Sequence, residues 1–145
     1  MIRMESLGDE YKALVIGSSG ALGRAFCELL ETDAGCALVV ELSRSTHPDF
    51  DLSNADSIAA AAAGLIEHAP YQLILVATGM LHAEDVQPEK ALAALDVLAM
   101  RRVFEVNTLG PALLLQHFLP LLDGTGVMAV LSAKVGSIAD NRLGG

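Results

Sequence analysis

The sequence is short of basic residues and of cysteines, and each shortage argues against a class of protein. Nine Lys and Arg stand against eighteen Asp and Glu, so the net charge is −9. That balance argues against binding along a nucleic-acid backbone, which needs a basic face. It does not exclude a small anionic cofactor, whose site depends on local backbone dipoles. The two cysteines, Cys27 and Cys36, lack metal-site spacing, as do the four histidines. We therefore expect reduced thiols and no metal site.

Long apolar runs are also missing. No stretch reaches the ~18 apolar residues of a membrane helix, and the N-terminus has no apolar signal core, so we expect a cytoplasmic protein that does not bind membranes. Apolar residues nevertheless make up 52% of the 145 residues. That composition predicts one folded domain with a substantial core. The mean hydropathy of +0.47 is typical of buried parallel strands, which read as unbroken apolar runs.

Apolar runs alternate along the chain with helical patterns. The runs predict strands over 12–16, 36–42, 73–78 and 126–132, and residues 49–52 could form a very short edge strand. Between them, periodic apolar positions predict helices over 22–30, from an N-cap at Ser53 to about His68, from Pro88 to about Arg102, and over 103–122. Pro111 would kink the last of these or mark its first turns. This alternation predicts an α/β fold: a Rossmann-type, doubly wound parallel sheet in three α/β/α layers.

The stretch "ALVIGSSGALGRAF" (13–26) places three glycines between the first strand and the first helix. Gly17 permits a tight turn, Gly20 lets the backbone approach a phosphate, and Gly23 lets helix and strand pack closely. Ser18 and Ser19 add hydroxyl donors. In this position the motif favours a cradle for a dinucleotide pyrophosphate at a helix N-terminus. A plain strand–helix turn is the alternative.

The end of the second strand indicates which nucleotide the cradle would take. An acidic residue there favours NAD, and a nearby arginine favours NADP. Glu41 lies inside the apolar run, whereas Ser43 and Arg44 stand where the loop would meet the ribose. A planar guanidinium beside a hydroxyl suits a 2′-phosphate. The residues favour NADP(H) over NAD(H), with a solvated loop arginine as the alternative.

Together these segments resemble the short-chain dehydrogenase/reductase family, in its C-factor-like, carbonyl-reductase-like branch. The resemblance rests on "IGSSGALGRAF", "LSRST", "FDLS", "LVATGML", "FEVNTLGPALLLQHFLPLL" and "VMAVLSAKVGSIADNRLGG". It implies an oxidoreductase that transfers hydride between a nicotinamide cofactor and a small-molecule carbonyl or alcohol. The resemblance covers only the N-terminal part of such an enzyme. We therefore expect residues 1–145 to form one cofactor-binding domain, with a tail over 1–11 and the C-terminal strands missing.

The resemblance also implies roles for individual residues. The pyrophosphate would be surrounded by Gly17, Ser18, Ser19, Leu22 and Gly23. The adenine would meet Asp51 and Leu52. The segment that lies along the cofactor after the third strand would be Ala77, Thr78 and Gly79. Val76 and Ala77 occupy the places where the family has an asparagine.

The family's catalytic residues are only partly present. Asn107 matches the helix asparagine that anchors a water in a proton relay. Ser132 is the candidate for the serine that binds the substrate carbonyl, and Ser137 is the other candidate. The family's Tyr-x-x-x-Lys is absent, because neither Tyr11 nor Tyr71 has a lysine four residues later. The chain alone is therefore expected to be inactive, and the complete form to be a homo-oligomer.

Two other functions fit parts of the pattern. A nucleotide-binding regulatory or signalling protein of the C-factor-like type would need no Tyr-x-x-x-Lys. A Rossmann-like module for another ligand, such as a methyl donor, would not require Arg44 or the "VNTLGP" helix.

Overall fold

A computed structural model of the protein describes residues 3–81, 89–137 and 139. The strands are β1 (Tyr11–Ile16), β2 (Cys36–Leu42), β3 (Tyr71–Val76) and β4 (Leu122–Val130). The α-helices are α1 (Ala21–Glu31), α2 (Ala55–Gly64), α3 (Val97–Phe104) and α4 (Gly110–Phe118), with a π-helical segment, Glu105–Leu109, joining α3 to α4. Short 3₁₀ turns lie at Glu5–Leu7, Ile66–His68, Leu92–Ala94, Leu119–Leu121 and Lys134–Gly136.

The described strands form one parallel sheet in the order β2-β1-β3-β4. The chain moves from β1 outward to β2, then returns across β1 to β3 and β4. Parallel neighbours need such crossovers, which the intervening helices supply. The order confirms the predicted Rossmann-type α/β fold.

Each face of the sheet is covered by a separate layer of helices. Leu14, Ile16 and Ile74 point to one face, where they pack with residues of α2 and α4 such as Ile58 and Leu114. The alternate residues point to the other face and pack against α1; these are Ala13, Val15, Leu73 and Leu75, with Cys27 and Leu30 from the helix. Since both faces are covered, the last four residues of β1 and of β3 are all apolar rather than alternating.

The carboxyl ends of the strands lie side by side. Ile16 pairs with Leu42 on one side and with Val76 on the other, and Val76 pairs with Val130. The loops that follow the strands therefore meet at one edge of the sheet. In open α/β sheets, ligands bind at this edge, where the strand order reverses. Here that point lies between β1 and β3.

The segment between β2 and α2 differs from the prediction. Residues 49–52 form turns and no strand, because Phe50 is buried in the core while Asp51 accepts hydrogen bonds from the backbone and hydroxyl of Ser53. The N-cap of α2 is Asn54, whose Oδ1 accepts from the N–H groups of Asp56 and Ser57. The predicted cap, Ser53, is wrong by one residue, because its hydroxyl donates to the carboxylate of Asp51.

The predicted helix over 88–102 is only partly present. Pro88 lies outside the described residues, residues 89–96 contain one 3₁₀ turn, and α3 begins after Asp96. The carboxylate of Asp96 accepts from the N–H groups of Leu98 and Ala99, so this residue caps the helix. The predicted helix over 103–122 is a succession of α, π and 3₁₀ turns, in which Pro111 stands in the first turn of α4.

Two strand boundaries also move. β3 begins at Tyr71 and ends at Val76, so Ala77 and Thr78 follow the strand instead of closing it. β4 begins at Leu122, but its pairing jumps from Tyr71–Leu122 to Leu73–Val127. The residues "DGTG" (123–126) lie within that jump, where Asp123 accepts from the N–H and hydroxyl of Thr125.

The described part of the predicted tail packs on the domain. Tyr11 already belongs to β1, and Met4 and Leu7 pack against the α1 side of the core. Buried Asp33, at the end of α1, holds this segment. Its carboxylate accepts from the N–H groups of Gly35 and Met4, each at 2.8 Å, and from the hydroxyl of Tyr11 at 3.0 Å. These bonds, that of Gly35 above all, lower the pKa of Asp33.

Within the described ranges, no helix is both long and apolar enough to span a bilayer.

We predict that Gly23→Ala destabilises the domain and that Gly64→Ala does not. A Cβ on Gly23 would lie 2.1 Å from the carbonyl oxygen of Gly17, whereas one on Gly64 would meet nothing within 4 Å. The first change should cost at least about 1–3 kcal/mol of unfolding free energy. The second should leave stability unchanged or raise it by up to about 1 kcal/mol. Urea unfolding measures both, and equal stabilities would contradict this packing.

A second prediction concerns acid stability. Because the folded pKa of Asp33 lies below its ordinary value, its contribution is present above the ordinary pKa of about 4 and is lost as pH falls through the folded value. Asp33→Asn should therefore lower the urea midpoint at pH 7 and reduce its dependence on pH between about 5 and 3. Asp49→Asn, at an exposed carboxylate, is the matched control. An unchanged pH profile in Asp33→Asn would contradict the prediction.

Candidate functional site

A cleft of about 960 Å³ opens at the carboxyl edge of the sheet, at the switch point between β1 and β3. It is lined by the turn after β1, the loop after β2, the segment after β3 and one face of α3. The residues are Gly17, Ser19, Gly20, Ser43, Arg44, Pro48, Phe50, Asp51, Leu52, Ser53, Ala77, Thr78, Gly79, Met80, Leu81, Leu98, Arg101, Arg102, Glu105 and Val106.

The glycine turn holds α1 close to the sheet. Gly17 has φ +89°, a conformation that side-chain-bearing residues rarely adopt, and its added Cβ would lie 2.9 Å from Thr78 Cγ2. Gly23 is buried against the Gly17 carbonyl. Two of the three predicted glycine functions, the tight turn and the close helix packing, are therefore visible in the backbone. They bring the first turn of α1 to the edge of the cleft.

The N-terminus of α1 lacks a side-chain cap. Its N-cap is Gly20, which has no side chain to accept a hydrogen bond, whereas Asn54 caps α2 and Asp96 caps α3. Gly20 itself lines the cleft. The first N–H groups of a helix have no partner within the helix, and together with the helix dipole they favour an anion. The cleft therefore contains a helix end that can receive a negatively charged group.

Two hydroxyl groups near this turn, Ser18 Oγ and Thr78 Oγ1, are buried without a hydrogen-bond partner among the described residues. Buried hydroxyls are normally paired, so each is a candidate donor to a bound molecule. Thr78 lines the cleft, but Ser18 lines a smaller hollow beside it, together with Ser19 and Arg24.

The loop after β2 presents Arg44 from a structured turn. Thr46 Oγ1 accepts from the N–H of Ser43 at 3.0 Å, and the N–H groups of Thr46 and His47 donate to the Ser43 carbonyl. Arg44 and Asp51 both line the cleft. The hydrogen bonds from Ser53, followed by the charges of Arg44 and Arg102, lower the pKa of Asp51. Asp51 is thus a carboxylate at neutral pH, set among guanidinium groups.

The side chain of Asn107, on the π-helical segment, is bound to the backbone after β3. Its Nδ2 donates to the Met80 carbonyl at 2.7 Å, and its Oδ1 accepts from the Met80 N–H at 2.8 Å. These two bonds fasten the cleft wall at Gly79, Met80 and Leu81 to the helix. The amide therefore positions the wall, and it is not among the residues that line the cleft.

The structure brings together most of the predicted cofactor residues. Those that line the cleft are Gly17, Ser19, Gly20, Ser43, Arg44, Asp51, Leu52, Ala77, Thr78 and Gly79. Those outside its lining are Ser18, Leu22, Gly23, Asn107 and Ser132. Leu22 is 62% exposed on α1, and Ser132 and Ser137 are exposed beyond β4.

Sequence reasoning missed the contribution of α3. Leu98, Arg101, Arg102 and Glu105 follow the i, i+3, i+4, i+7 spacing of one helix face, and all four line the cleft. The sequence shows the spacing of these residues. It does not show that this helix face borders a cleft, because that depends on where α3 lies beside the sheet.

Neither tyrosine is suited to donate a proton near neutral pH. Tyr11 donates to Asp33, and burial raises its pKa far above the ordinary value. Tyr71 donates to the Leu65 carbonyl, and burial raises its pKa to about 12. Both residues begin strands, and so lie at the end of the sheet away from the cleft. Among the described residues, no group of three His, Cys, Asp or Glu is arranged to hold a metal ion.

Known proteins resemble the chain in both sequence and fold. Models of protein families give no match. The chain is 30% identical over 101 residues to 1-hydroxy-2-glutathionyl-2-methyl-3-butene dehydrogenase of Rhodococcus sp. (strain AD45), an alignment that covers 70% of this chain and 42% of that enzyme. The chain thus spans less than half of its curated relative.

Two solved structures share the fold. The NADPH-bound carbonyl reductase from chicken fatty liver superposes with a TM-score of 0.74 at 23% identity, over 93% of this chain and 61% of that one. An NADP-bound protein from Burkholderia multivorans, described as a short-chain dehydrogenase/reductase, superposes with a TM-score of 0.74 at 22% identity, over 94% and 64%. The chain is thus similar in sequence to part of a dehydrogenase and has the fold of solved short-chain dehydrogenases and carbonyl reductases.

Proposed function

We propose that the cleft binds a nicotinamide dinucleotide, NADP(H) in preference to NAD(H), and that residues 1–145 are the cofactor-binding domain of an oxidoreductase. The observation that carries the proposal is the uncapped N-terminus of α1, which opens at Gly20 into a long cleft at the switch point of the sheet. Such a helix end provides backbone donors and a favourable dipole for a pyrophosphate.

The residues along the cleft fit the parts of a dinucleotide. The pyrophosphate would lie at the first turn of α1, where Gly20 leaves space and Ser19 adds a hydroxyl. The adenosine would lie between the loop after β2 and Asp51, whose neighbour Leu52 supplies an apolar contact. The nicotinamide would lie along Ala77, Thr78 and Gly79, where the unpaired hydroxyl of Thr78 is available as a donor.

The preference for NADP(H) rests on Arg44. Its guanidinium is exposed at the cleft and forms no hydrogen bond or ion pair with any described residue. A guanidinium binds a phosphate through paired, charge-assisted hydrogen bonds, which a ribose 2′-hydroxyl cannot match. The carbonyl reductase and the Burkholderia protein with the same fold hold NADPH and NADP.

The whole protein would act on a small-molecule carbonyl or alcohol. The bound nicotinamide would supply hydride chemistry. From this chain, Asn107 would position the wall beside it, and Ser132 or Ser137 would contact the substrate oxygen. Because the sequence contains no Tyr-x-x-x-Lys, we propose that the chain alone binds cofactor without turnover.

The second candidate is a C-factor-like regulatory or signalling protein that binds the dinucleotide without catalysis. The missing Tyr-x-x-x-Lys favours it. The two functions are separated by the reading frame after residue 145: an encoded Tyr-x-x-x-Lys supports the enzyme, and a stop codon supports the regulator.

We also propose that the complete protein is cytoplasmic and forms a homo-oligomer.

We predict that Gly20→Ala weakens NADPH binding by about tenfold or more while the chain stays folded. Gly20 has φ −74°, which any residue adopts, and an added Cβ would come no closer than 3.4 Å to protein atoms. The new methyl group would instead occupy the space where the phosphates approach. A loss of about 1.4 kcal/mol of binding is tenfold in Kd. Isothermal titration calorimetry measures it, with Gly64→Ala as the control. Unchanged binding would contradict the phosphate site.

We predict that Arg44→Ala weakens NADPH binding by about 10- to 100-fold and NADH binding by less than about threefold, because a charge-assisted contact to the 2′-phosphate contributes roughly 1.5–3 kcal/mol. The readout is the ratio of the two dissociation constants. Lys90→Ala removes one positive charge outside the cleft and should leave the ratio unchanged. Equal weakening of both ligands by Arg44→Ala would overturn the cofactor preference.

A further inference from the structure

A third of the basic residues of this acidic protein line the cleft. The whole chain has nine Lys and Arg for a net charge of −9, yet three arginines line this one feature, Arg44, Arg101 and Arg102. Two carboxylates, Asp51 and Glu105, share it. Arg44 comes from the loop after β2, whereas Arg101 and Arg102 come from α3. The cleft is thus supplied with guanidinium groups from two separate elements.

The arginines of α3 belong to the helix face that borders the cleft. Leu98, Arg101, Arg102 and Glu105 recur at the spacing of one helical face. Val97 and Phe104, by contrast, are exposed but lie outside the cleft lining. The exposed basic pair therefore lies on the face of α3 that borders the cleft, whereas the exposed residues Val97 and Phe104 lie outside it.

The usual explanation for a basic pair at the end of a helix does not apply here. Basic residues in a last turn ordinarily interact with carbonyl groups left without partners. In α3 the carbonyls of Arg101 and Arg102 both accept from the N–H of Glu105, and the helical backbone continues into the π-helical segment and α4. No free helix end is present at this point for the two charges to stabilise.

Arg101 also lacks a partner among the described residues, since no hydrogen bond or ion pair joins it to any of them. The charges of Arg44 and Arg102 both act on Asp51, so these two arginines border the same part of the cleft. Arg101 is the neighbour of Arg102 on α3 and also lines the cleft. One oxygen of Asp51 is bound by the N–H and hydroxyl of Ser53. The two carboxylates of the cleft, Asp51 and Glu105, are fewer than its three guanidinium groups.

We propose that Arg101 is a second residue that determines specificity, binding the phosphate on the adenosine ribose from the α3 side while Arg44 binds it from the loop. The inference rests on the proposed function, because it assigns the 2′-phosphate of NADP(H) to this end of the cleft. A phosphate presents three oxygens that accept hydrogen bonds, enough for two guanidinium groups.

The test compares two small probes, adenosine 2′,5′-bisphosphate and adenosine 5′-monophosphate, titrated calorimetrically into the 145-residue chain. Arg101→Ala should weaken the bisphosphate by about tenfold and the monophosphate by less than about twofold. Arg101→Lys, which keeps the charge but loses the planar fork, should give an intermediate loss. Circular dichroism spectra that match the unsubstituted chain show that each variant is folded, and Lys90→Ala controls for net charge.

The outcomes separate this inference from the proposed function. Unchanged bisphosphate affinity in Arg101→Ala, or an equal loss for both probes, overturns the role of Arg101. If Arg44→Ala still weakens binding of the bisphosphate more than that of the monophosphate, the proposed function stands without a role for Arg101. If the unsubstituted chain binds neither probe nor NADPH, the proposed function fails as well.

Discussion

The architecture of the cleft depends on one close contact, that of Gly23 in α1 with the carbonyl of Gly17. There is no room between them for a methyl group, so the first turn of the helix lies directly over the end of β1. That position brings the uncapped amides of α1 to the carboxyl edge of the sheet. It also leaves Gly20 at the surface of the cleft, where its backbone can approach a bound anion. A larger separation would leave a helix end in solvent and no cradle.

A second constraint is electrostatic. The chain carries a large negative charge, which would repel a ligand with several phosphates at long range. The cleft offsets this locally through the dipole of α1 and through guanidinium groups from two elements. Net charge therefore argues against extended polyanions without excluding a small anion, because fields at a few ångströms are set by the nearest dipoles and side chains.

Asn107 has a structural role in the cleft besides the one that the family resemblance implies. The family resemblance implies a proton relay for it. In the structure its amide replaces two backbone partners for Met80, which keeps the segment after β3 alongside the π-helical segment. That segment carries Thr78 and Gly79, so the amide controls the shape of the wall along which a nicotinamide would lie.

The sequence by itself determined the layers of the fold and the glycine-rich turn after β1. Unbroken apolar runs specify strands buried on both faces, and Gly17 and Gly23 specify a turn and a close helix contact that leave no space for a side chain. Competition between local hydrogen bonds made one sequence prediction wrong by one residue. Asn54, and not Ser53, caps α2, because the Ser53 hydroxyl donates to Asp51. Only the tertiary structure decided which face of α3 borders the cleft and that Arg101 and Arg102 line the same cleft as Arg44. Those relations join residues more than fifty positions apart, and they follow from how α3 and the π-helical segment pack beside the sheet, which no local pattern encodes.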